Sequence, residues 1–182
     1  MKNEKRQKWI VLGYELISDE GLKNLSIESL SRTMNKSKSS FYNYFGEMDL
    51  FMVELLSYHI DRSKLFGNEI STIKGIRPGL VNILLEYKSD ILFHKQLYLN
   101  RDNPKFRNCI ERVFSIYGQP IAEKWADYFG LSHNRLFVEK FHRFIAEHFL
   151  LIIDSDNYNF NWIDNYLKEL SSLLSLLSEK IK

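Results

Sequence analysis

The chain has 182 residues, and its 45% hydrophobic and 26% charged content is ordinary for a soluble globular protein. A net charge of +2 neither indicates nor excludes a nucleic-acid partner. The single cysteine, Cys109, excludes an intramolecular disulfide and any zinc site built from several cysteines. This cysteine usage fits a reducing compartment, so we expect a cytoplasmic protein.

No stretch of the chain predicts export or membrane insertion. The longest apolar run, residues 149–153, is far too short to span a bilayer. The N-terminus joins basic residues to an apolar stretch, but Tyr14, Glu15 and Asp19 interrupt that stretch. The pattern therefore predicts an amphipathic first helix over residues 4–20 and not a signal peptide.

The basic start of this first helix has two readings. A basic arm there could contact the DNA backbone, or it could be a frayed, solvated terminus; the residues concerned are Lys2, Lys5, Arg6 and Lys8. Residues 1–45 carry eight Lys or Arg against five Asp or Glu, whereas the rest of the chain carries 17 against 18. The basic excess therefore lies at the N-terminal end, as a nucleic-acid footprint requires.

Residues 26–51 predict two short helices joined by a tight polar turn. Ile27, Leu30 and Met34 recur at helical spacing and share one face of the first of these helices. Ser26, just before them, is a favourable N-cap. A helix, a turn of about four residues and a second helix form the helix-turn-helix pattern.

The turn and the second helix follow from local chemistry. Asn35 tolerates the left-handed conformation that ends a helix, and Ser37 is placed to cap the helix that follows. Phe41, Tyr44 and Phe45 can then face inward. The outward residues are small, basic or hydrogen-bonding, which suits a helix in the major groove. An ordinary helical hairpin with a solvated face is the alternative interpretation.

These residues, in this order, resemble the DNA-binding head of the TetR (TetR/AcrR) transcriptional regulators. The resemblance covers roughly the first quarter of the chain. The resemblance is carried by the order of Gly21, Ser26-Ile27, Leu30-Ser31, Asn35-Lys36-Ser37, Ser40-Phe41-Tyr42, Tyr44-Phe45 and Asp49. The family usually has other residue types at Ser31, Met34, Asn35 and Lys36. Met48 stands where the family commonly has Lys, so that phosphate contact is not carried over.

The resemblance implies a homodimer that binds a palindromic operator in double-stranded DNA. Base edges or nearby phosphates would be approached by Lys38, Ser39, Ser40 and Asn43. The DNA backbone would be held by Ser26, Tyr42 and Tyr44, as the matching family positions do. Lys36 is a further phosphate candidate, peculiar to this sequence. We therefore predict a DNA-binding domain over 1–47 and a ligand-binding and dimerisation domain over 48–182.

The remaining apolar pattern predicts helices throughout the larger domain, giving an all-α fold of about nine helices. A connecting helix over 48–66 is followed by a linker over 67–79. Later helices are predicted over 78–92, extending to 99 with a break near 89–90, then over 105–116, 120–130 and 133–153, and from 161 to the end. Gly118 is expected to end one of these helices and Pro120 to begin the next.

The last two helices predict a dimer interface. Apolar residues of the final helix recur at alternating steps of four and three, as in a coiled-coil seam. The helix before it is apolar on more than one face. Two copies could therefore form a four-helix bundle, although both helices could also be core. The interface candidates are Phe149, Ile163, Leu167, Leu170, Leu174 and Leu177.

No catalytic or metal-binding constellation is convincing. Glu139 and His142 form a single E-x-x-H motif, whereas bundle metal sites need a pair of such motifs and two more carboxylates. The resemblance instead implies a pocket for a small-molecule effector, lined by apolar and aromatic groups. The candidates for its lining are Gln96, Tyr98, Tyr117, Trp125 and His148.

The sequence thus predicts a ligand-responsive DNA-binding transcriptional regulator, a repressor that acts as a homodimer without a cofactor or metal and is not an enzyme. Two alternatives stay open. One is a helical-bundle metal protein or enzyme that uses Glu139, His142 and His148. The other is a protein–protein adaptor whose helix-turn-helix no longer binds DNA.

Overall fold

A computed structural model describes the backbone of residues 2–129 and 135–180, and the side chains of 3–129 and 136–173. Within those residues the chain forms nine α-helices and no strand, which confirms the all-α prediction. The helices are α1 (Lys2–Glu20), α2 (Ile27–Thr33), α3 (Lys38–Phe45), α4 (Met48–Thr72), α5 (Val81–Glu86), α6 (Lys88–Leu99), α7 (Pro104–Phe129), α8 (Arg135–Ile152) and α9 (Phe160–Lys180). In the described part of the chain, none of them has the length and hydrophobicity of a membrane span.

The chain divides into two compact units. The first unit comprises Met1–Ser63 and Ser89–Arg112, and the second comprises Lys64–Lys88 and Val113–Lys182. This division differs from the predicted boundary at residue 47. Because α4 and α7 are long, each contributes one part to the first unit and the other part to the second.

Aromatic packing holds α3 in the first unit. The Phe41 ring lies edge-on to Trp9 of α1 and to Phe51 of α4, with centroid distances of 5.7 and 5.2 Å. Phe45 packs against Phe51 at 4.7 Å. A Cβ at Gly13 would lie 2.6 Å from the Phe51 ring, so only glycine allows α1 to approach α4 this closely.

The second unit has its own aromatic core. Phe66 of α4 packs edge-on against Tyr87 and Tyr117 at 5.2 and 5.1 Å. The Tyr158 hydroxyl donates to the Leu84 carbonyl of α5 at 2.7 Å. The α9 residue Ile163 is fully buried. These contacts order helices that are far apart in sequence around one hydrophobic centre.

Several predicted helix boundaries are wrong. The expected linker over 67–79 is helical for six more residues of α4, because the buried positions Phe66 and Ile70 continue its packed face. Further on, α5 ends at Glu86 and α6 begins at Lys88, so the break falls two residues before the expected site.

The predicted break at Gly118 and Pro120 is also wrong, since α7 runs through both residues. Proline removes a backbone donor and normally kinks a helix. The buried positions of α7 nevertheless recur every four residues across it: Val113, Tyr117, Ile121 and Trp125. Burial of this apolar face outweighs the local breaker signal.

Candidate nucleic-acid interface

The start of α2 is fixed by a reciprocal cap. The Ser26 hydroxyl accepts a hydrogen bond from the Ser29 backbone N–H at 3.0 Å, and the Ser29 hydroxyl accepts one from the Ser26 N–H at 3.0 Å. This capping box satisfies two N–H groups that a helix start leaves unpaired. Leu30, fully buried, anchors α2 from its inner face.

The turn between α2 and α3 has the predicted chemistry. Asn35 adopts a φ of 51°, the left-handed conformation that asparagine tolerates. The Lys36 N–H donates to the Ser31 carbonyl at 2.9 Å, which closes the C-terminal turn of α2. Ser37 then caps α3 by accepting from the Ser40 N–H at 3.3 Å. Short local signals therefore set the angle between the two helices.

The outer face of α3 is accessible to a partner. Phe41 and Phe45 are buried, so the helix cannot rotate without losing its aromatic packing. Its sequence contains no acidic residue. Among the predicted DNA-binding residues, those exposed are Lys36, Lys38, Ser39, Tyr42 and Asn43, and those half-buried are Ser26, Ser40 and Tyr44. Ser26 is engaged as the α2 cap, which limits its hydroxyl as a phosphate ligand.

An ion pair spans α2 and α3 that the sequence did not predict. The Lys38 ammonium binds the Glu28 carboxylate, and both side chains are more than half exposed. The hydrogen bond from Lys38 holds the pKa of the Glu28 carboxyl below its usual value. Glu28 lies ten residues before Lys38, so no helical spacing links the two in the sequence.

The N-terminal basic residues lie in different settings. Arg6 binds Glu54 at 2.7 Å, and its guanidinium lies over the Phe45 ring at 5.4 Å from the centroid. Lys5 and Lys8 are exposed. Met48 is half-buried at the start of α4. Arg6 therefore helps to hold α1 against α3 and α4, while the two lysines remain accessible to phosphate.

The structure does not group the five predicted ligand-binding residues. Gln96 and Tyr98 belong to the first unit, whereas Tyr117, Trp125 and His148 belong to the second. Gln96 lies beside Gly21, where a Cβ would be 3.2 Å from its amide oxygen. The Tyr98 ring lies beneath the Arg101 guanidinium at 4.3 Å.

The second-unit candidates also have structural partners. Tyr117 packs on Phe66, and Trp125 stacks on Phe129 at 5.3 Å. His148 lies within hydrogen-bond distance of the Tyr166 hydroxyl at 3.1 Å. A cavity of about 210 Å³ lies between α7 and α8, but its lining contains none of the five.

The buried histidine of α8 was not predicted as a ligand-binding residue. His142 is 5% exposed, and within the described residues neither of its ring nitrogens has a hydrogen-bond partner. Burial lowers its pKa to about 4, so the ring is neutral near pH 7. The indole N–H of Trp125 on α7 is likewise buried with no partner among those residues. The sequence predicted Trp125 as a lining residue and placed His142 in an E-x-x-H motif, but only the packing shows that their polar atoms are buried without a partner among the described residues.

The alternative interpretation as a metal protein requires several ligand side chains that lie close together. Among the described residues, no group of three or more His, Cys, Asp or Glu side chains could hold a metal ion. Glu139 and His148 are exposed, whereas His142 is buried. The Cys109 thiol is buried, and burial raises its pKa to about 11, so it is a neutral thiol and not a thiolate ligand at pH 7.

The predicted dimer positions divide by exposure. Phe149, Ile163 and Leu167 are buried within the chain itself, where a second copy could reach them only by repacking, and Leu170 is half-buried. The remaining two, Leu174 and Leu177, have side chains outside the described residues. A different set on α8 is exposed and recurs every seven residues: Phe137, Phe144 and Leu151.

Comparisons of the chain with protein-family models, with curated proteins and with solved structures find no match. The arguments for function therefore rest on the residues and their geometry.

Proposed function

We propose that this protein is a DNA-binding transcriptional regulator of the TetR type. It binds a palindromic operator as a homodimer and releases it when a small-molecule effector binds. On this proposal it is a cytoplasmic repressor and not an enzyme. Helix α3 enters the major groove, and α2 supports it across the DNA backbone.

One observation carries the proposal: the α2–α3 pair presents an accessible α3 face that contains no carboxylate. Ser39 and Asn43 on that face can donate to phosphates or base edges, and so can Lys38 once its ion pair with Glu28 opens. The caps at Ser26 and Ser37, and the burial of Phe41, hold this face in one orientation. A reading helix needs such an anchor because base contacts depend on register.

The exposed seam on α8 supports the dimer. Phe137, Phe144 and Leu151 are 41, 67 and 53% exposed, and all three lie along one face because they are seven residues apart. A second copy would cover this face by isologous packing. The resulting two-fold axis matches the symmetry of a palindromic operator, whose half-sites lie about 34 Å or a multiple apart.

The effector part of the proposal is supported by the interior of the second unit. His142 and the Trp125 indole are buried polar groups without partners among the described residues, and a hydrogen-bonding ligand could satisfy them. Aromatic rings near His142, such as Phe114 at 6.2 Å, suit an apolar or aromatic ligand body. An effector acts only through its differential affinity for the two states of the regulator.

DNA binding is tested by selecting sites from a pool of random duplexes and measuring affinity at two salt concentrations. We expect an inverted repeat to be enriched and its affinity to fall steeply with salt. Lys38→Ala should then lose about 1–3 kcal/mol, concentrated at one base pair, because the first residues of a recognition helix lie nearest the base edges.

The control for this substitution is Lys74→Ala, which removes an exposed lysine that follows α4 in the second unit. Its affinity should equal that of the wild type. Uniform weakening by Lys38→Ala over all single-base variants would assign Lys38 to phosphate. Equal, weak binding of the wild type to selected and scrambled duplexes would contradict the proposed function.

The dimer is tested by Phe144→Glu, which places a charge at the most exposed position of the α8 seam. We expect a dimer to become a monomer in sedimentation equilibrium, since a buried, unpaired carboxylate disfavours association. Glu139→Gln is the control, because it alters charge at an exposed position of the same helix, two residues after Phe137 and so on another face. A Phe144→Glu protein that stays dimeric would exclude α8 as the interface.

A further inference from the structure

Five polar side chains meet inside the first unit, and they come from α1, α4 and α6. The Tyr14 hydroxyl lies 2.6 Å from Nδ1 of His59 and donates to Oδ1 of Asp90 at 2.9 Å. Nε2 of His59 lies 3.0 Å from Nδ1 of His94. Arg62 donates to both Asp90 oxygens, at 2.9 and 2.7 Å.

Burial makes the pairing of these groups important. Tyr14 is 3% exposed, Asp90 is 6%, and both histidines are 2% exposed. A polar group buried without a partner costs about 1–3 kcal/mol. The four groups occur at chain separations of 35 to 76 residues, so their hydrogen bonds link three helices that are distant in sequence.

The hydrogen bonds of this cluster can point in only one direction. A carboxylate held by the Arg62 guanidinium only accepts, so the single Tyr14 proton is donated to Asp90. The Tyr14 oxygen must then accept from Nδ1–H of His59. With that proton on Nδ1, a neutral His59 accepts at Nε2, and Nδ1–H of His94 is the donor.

We propose that Tyr14, His59 and His94 form a one-directional hydrogen-bond chain anchored on Asp90, which locks both imidazoles as neutral Nδ1–H tautomers and makes the packing of α4 against α6 acid-sensitive. The proposal does not rest on DNA binding. It assigns the cluster a conformational role, because a change at one member alters the proton position at the next.

The hydrogen-bond chain also determines which imidazole nitrogen accepts an added proton. Both nitrogens of His59 are already used, so a proton on Nε2 would place two N–H groups 3.0 Å apart. His94 donates through Nδ1, so a proton added to its Nε2 would leave the bonds of this hydrogen-bond chain in place. The titratable and charged groups around the imidazoles are Tyr14 on α1, Tyr58 and Arg62 on α4, and Asp90 on α6.

Desolvation of the two buried imidazoles opposes their protonation. Burial lowers the pKa of His94 to about 4, and it lowers the pKa of His59 well below the usual value, with further lowering from His94 and Arg62. We therefore expect His94 to accept the first proton in acid. A second proton, on Nε2 of His59, breaks the bond to His94 and so loosens the contact between α4 and α6.

The test is long-range ¹H–¹⁵N correlation of the imidazoles in the intact protein, which distinguishes a protonated ring nitrogen from an unprotonated one. With five histidines in the chain, each signal can be assigned by single substitution. We expect Nδ1–H for both His59 and His94 at pH 7, and protonation of His94 before His59 on acidification. Nε2–H on His59, or protonation of His59 first, would overturn the proposal.

Tyr14→Phe tests whether the proton positions are coupled. It keeps the ring stacked on Phe93 at 4.1 Å but removes the acceptor for His59. We expect the ¹⁵N shifts of His94, which the Tyr14 hydroxyl does not contact, to move toward the Nε2–H form. Tyr58→Phe is the control, since its ring contacts Tyr14 at 5.1 Å while its hydroxyl takes no part in the chain.

Unchanged His94 shifts in a folded Tyr14→Phe protein would refute the coupling. If that variant does not fold, the wild-type tautomers and their order of protonation still decide the proposal.

Discussion

Buried histidines distinguish the two units of this protein. In the first unit, His59 and His94 form links of a hydrogen-bond chain that ends on the Arg62–Asp90 ion pair. In the second unit, His142 is equally inaccessible, yet neither of its nitrogens is bonded to another described residue. Burial lowers the pKa of His94 and of His142 to about 4. Similar pKa values therefore occur in His94, which is hydrogen-bonded through Nδ1, and in His142, which has no partner among the described residues.

The difference indicates different roles for the two interiors. A polar cluster joined by directional hydrogen bonds rigidifies the helices that contribute to it, since each bond has a defined donor and acceptor. This suits the first unit, because the proposed function requires α3 to be held in a fixed orientation. An unpaired buried imidazole is a cost that a bound molecule could remove. This suits the second unit, where we place the effector.

The two units share buried imidazoles with lowered pKa values, and the pH dependence of the free energy of unfolding tests this property. The folded-state pKa values of His59, His94 and His142 are lowered, so the unfolded chain binds more protons in mild acid. Stability is therefore lost as pH falls below about 6.5, until the folded pKa values are reached. Between pH 7 and 5 we expect a loss of about 2 kcal/mol from each of His94 and His142, whose folded pKa values are about 4, and a further loss from His59.

Urea unfolding at pH 7 and at pH 5 measures this loss. His142→Leu should remove about a third of it, because one of the three groups then no longer titrates. Equal free energies of unfolding at the two pH values would show that the three imidazoles are not desolvated in the folded protein.

Local signals in the sequence predicted the helix-turn-helix well. The caps at Ser26 and Ser37 and the left-handed Asn35 are confirmed, because each depends on residues within four positions of it. The helix boundaries predicted at Gly67 and Pro120 are wrong, because the structure there depends on distant residues and not on local signals. Tertiary burial of the flanking apolar residues kept α4 and α7 continuous.

The features that depend on distant residues could not be predicted. Tyr14 and Asp90 are 76 residues apart, and nothing in the spacing of either residue indicates the other. In α9, Ile163 and Leu167 recur at the spacing of a coiled-coil seam, which predicted that a second copy covers them. Both are instead buried within the chain itself. A repeat of apolar residues shows that a face is buried, but not whether the same chain or a second copy buries it.

The most direct test of the contrast compares His94→Leu with His142→Leu in urea unfolding at pH 7. His94→Leu leaves Nε2 of His59 without its donor, so we predict a loss of about 2 kcal/mol. His142→Leu removes two buried nitrogens that have no partner among the described residues, so we predict a gain of about 1 kcal/mol. Equal losses for the two variants would contradict the account, because His142 would then be as well bonded in solution as His94.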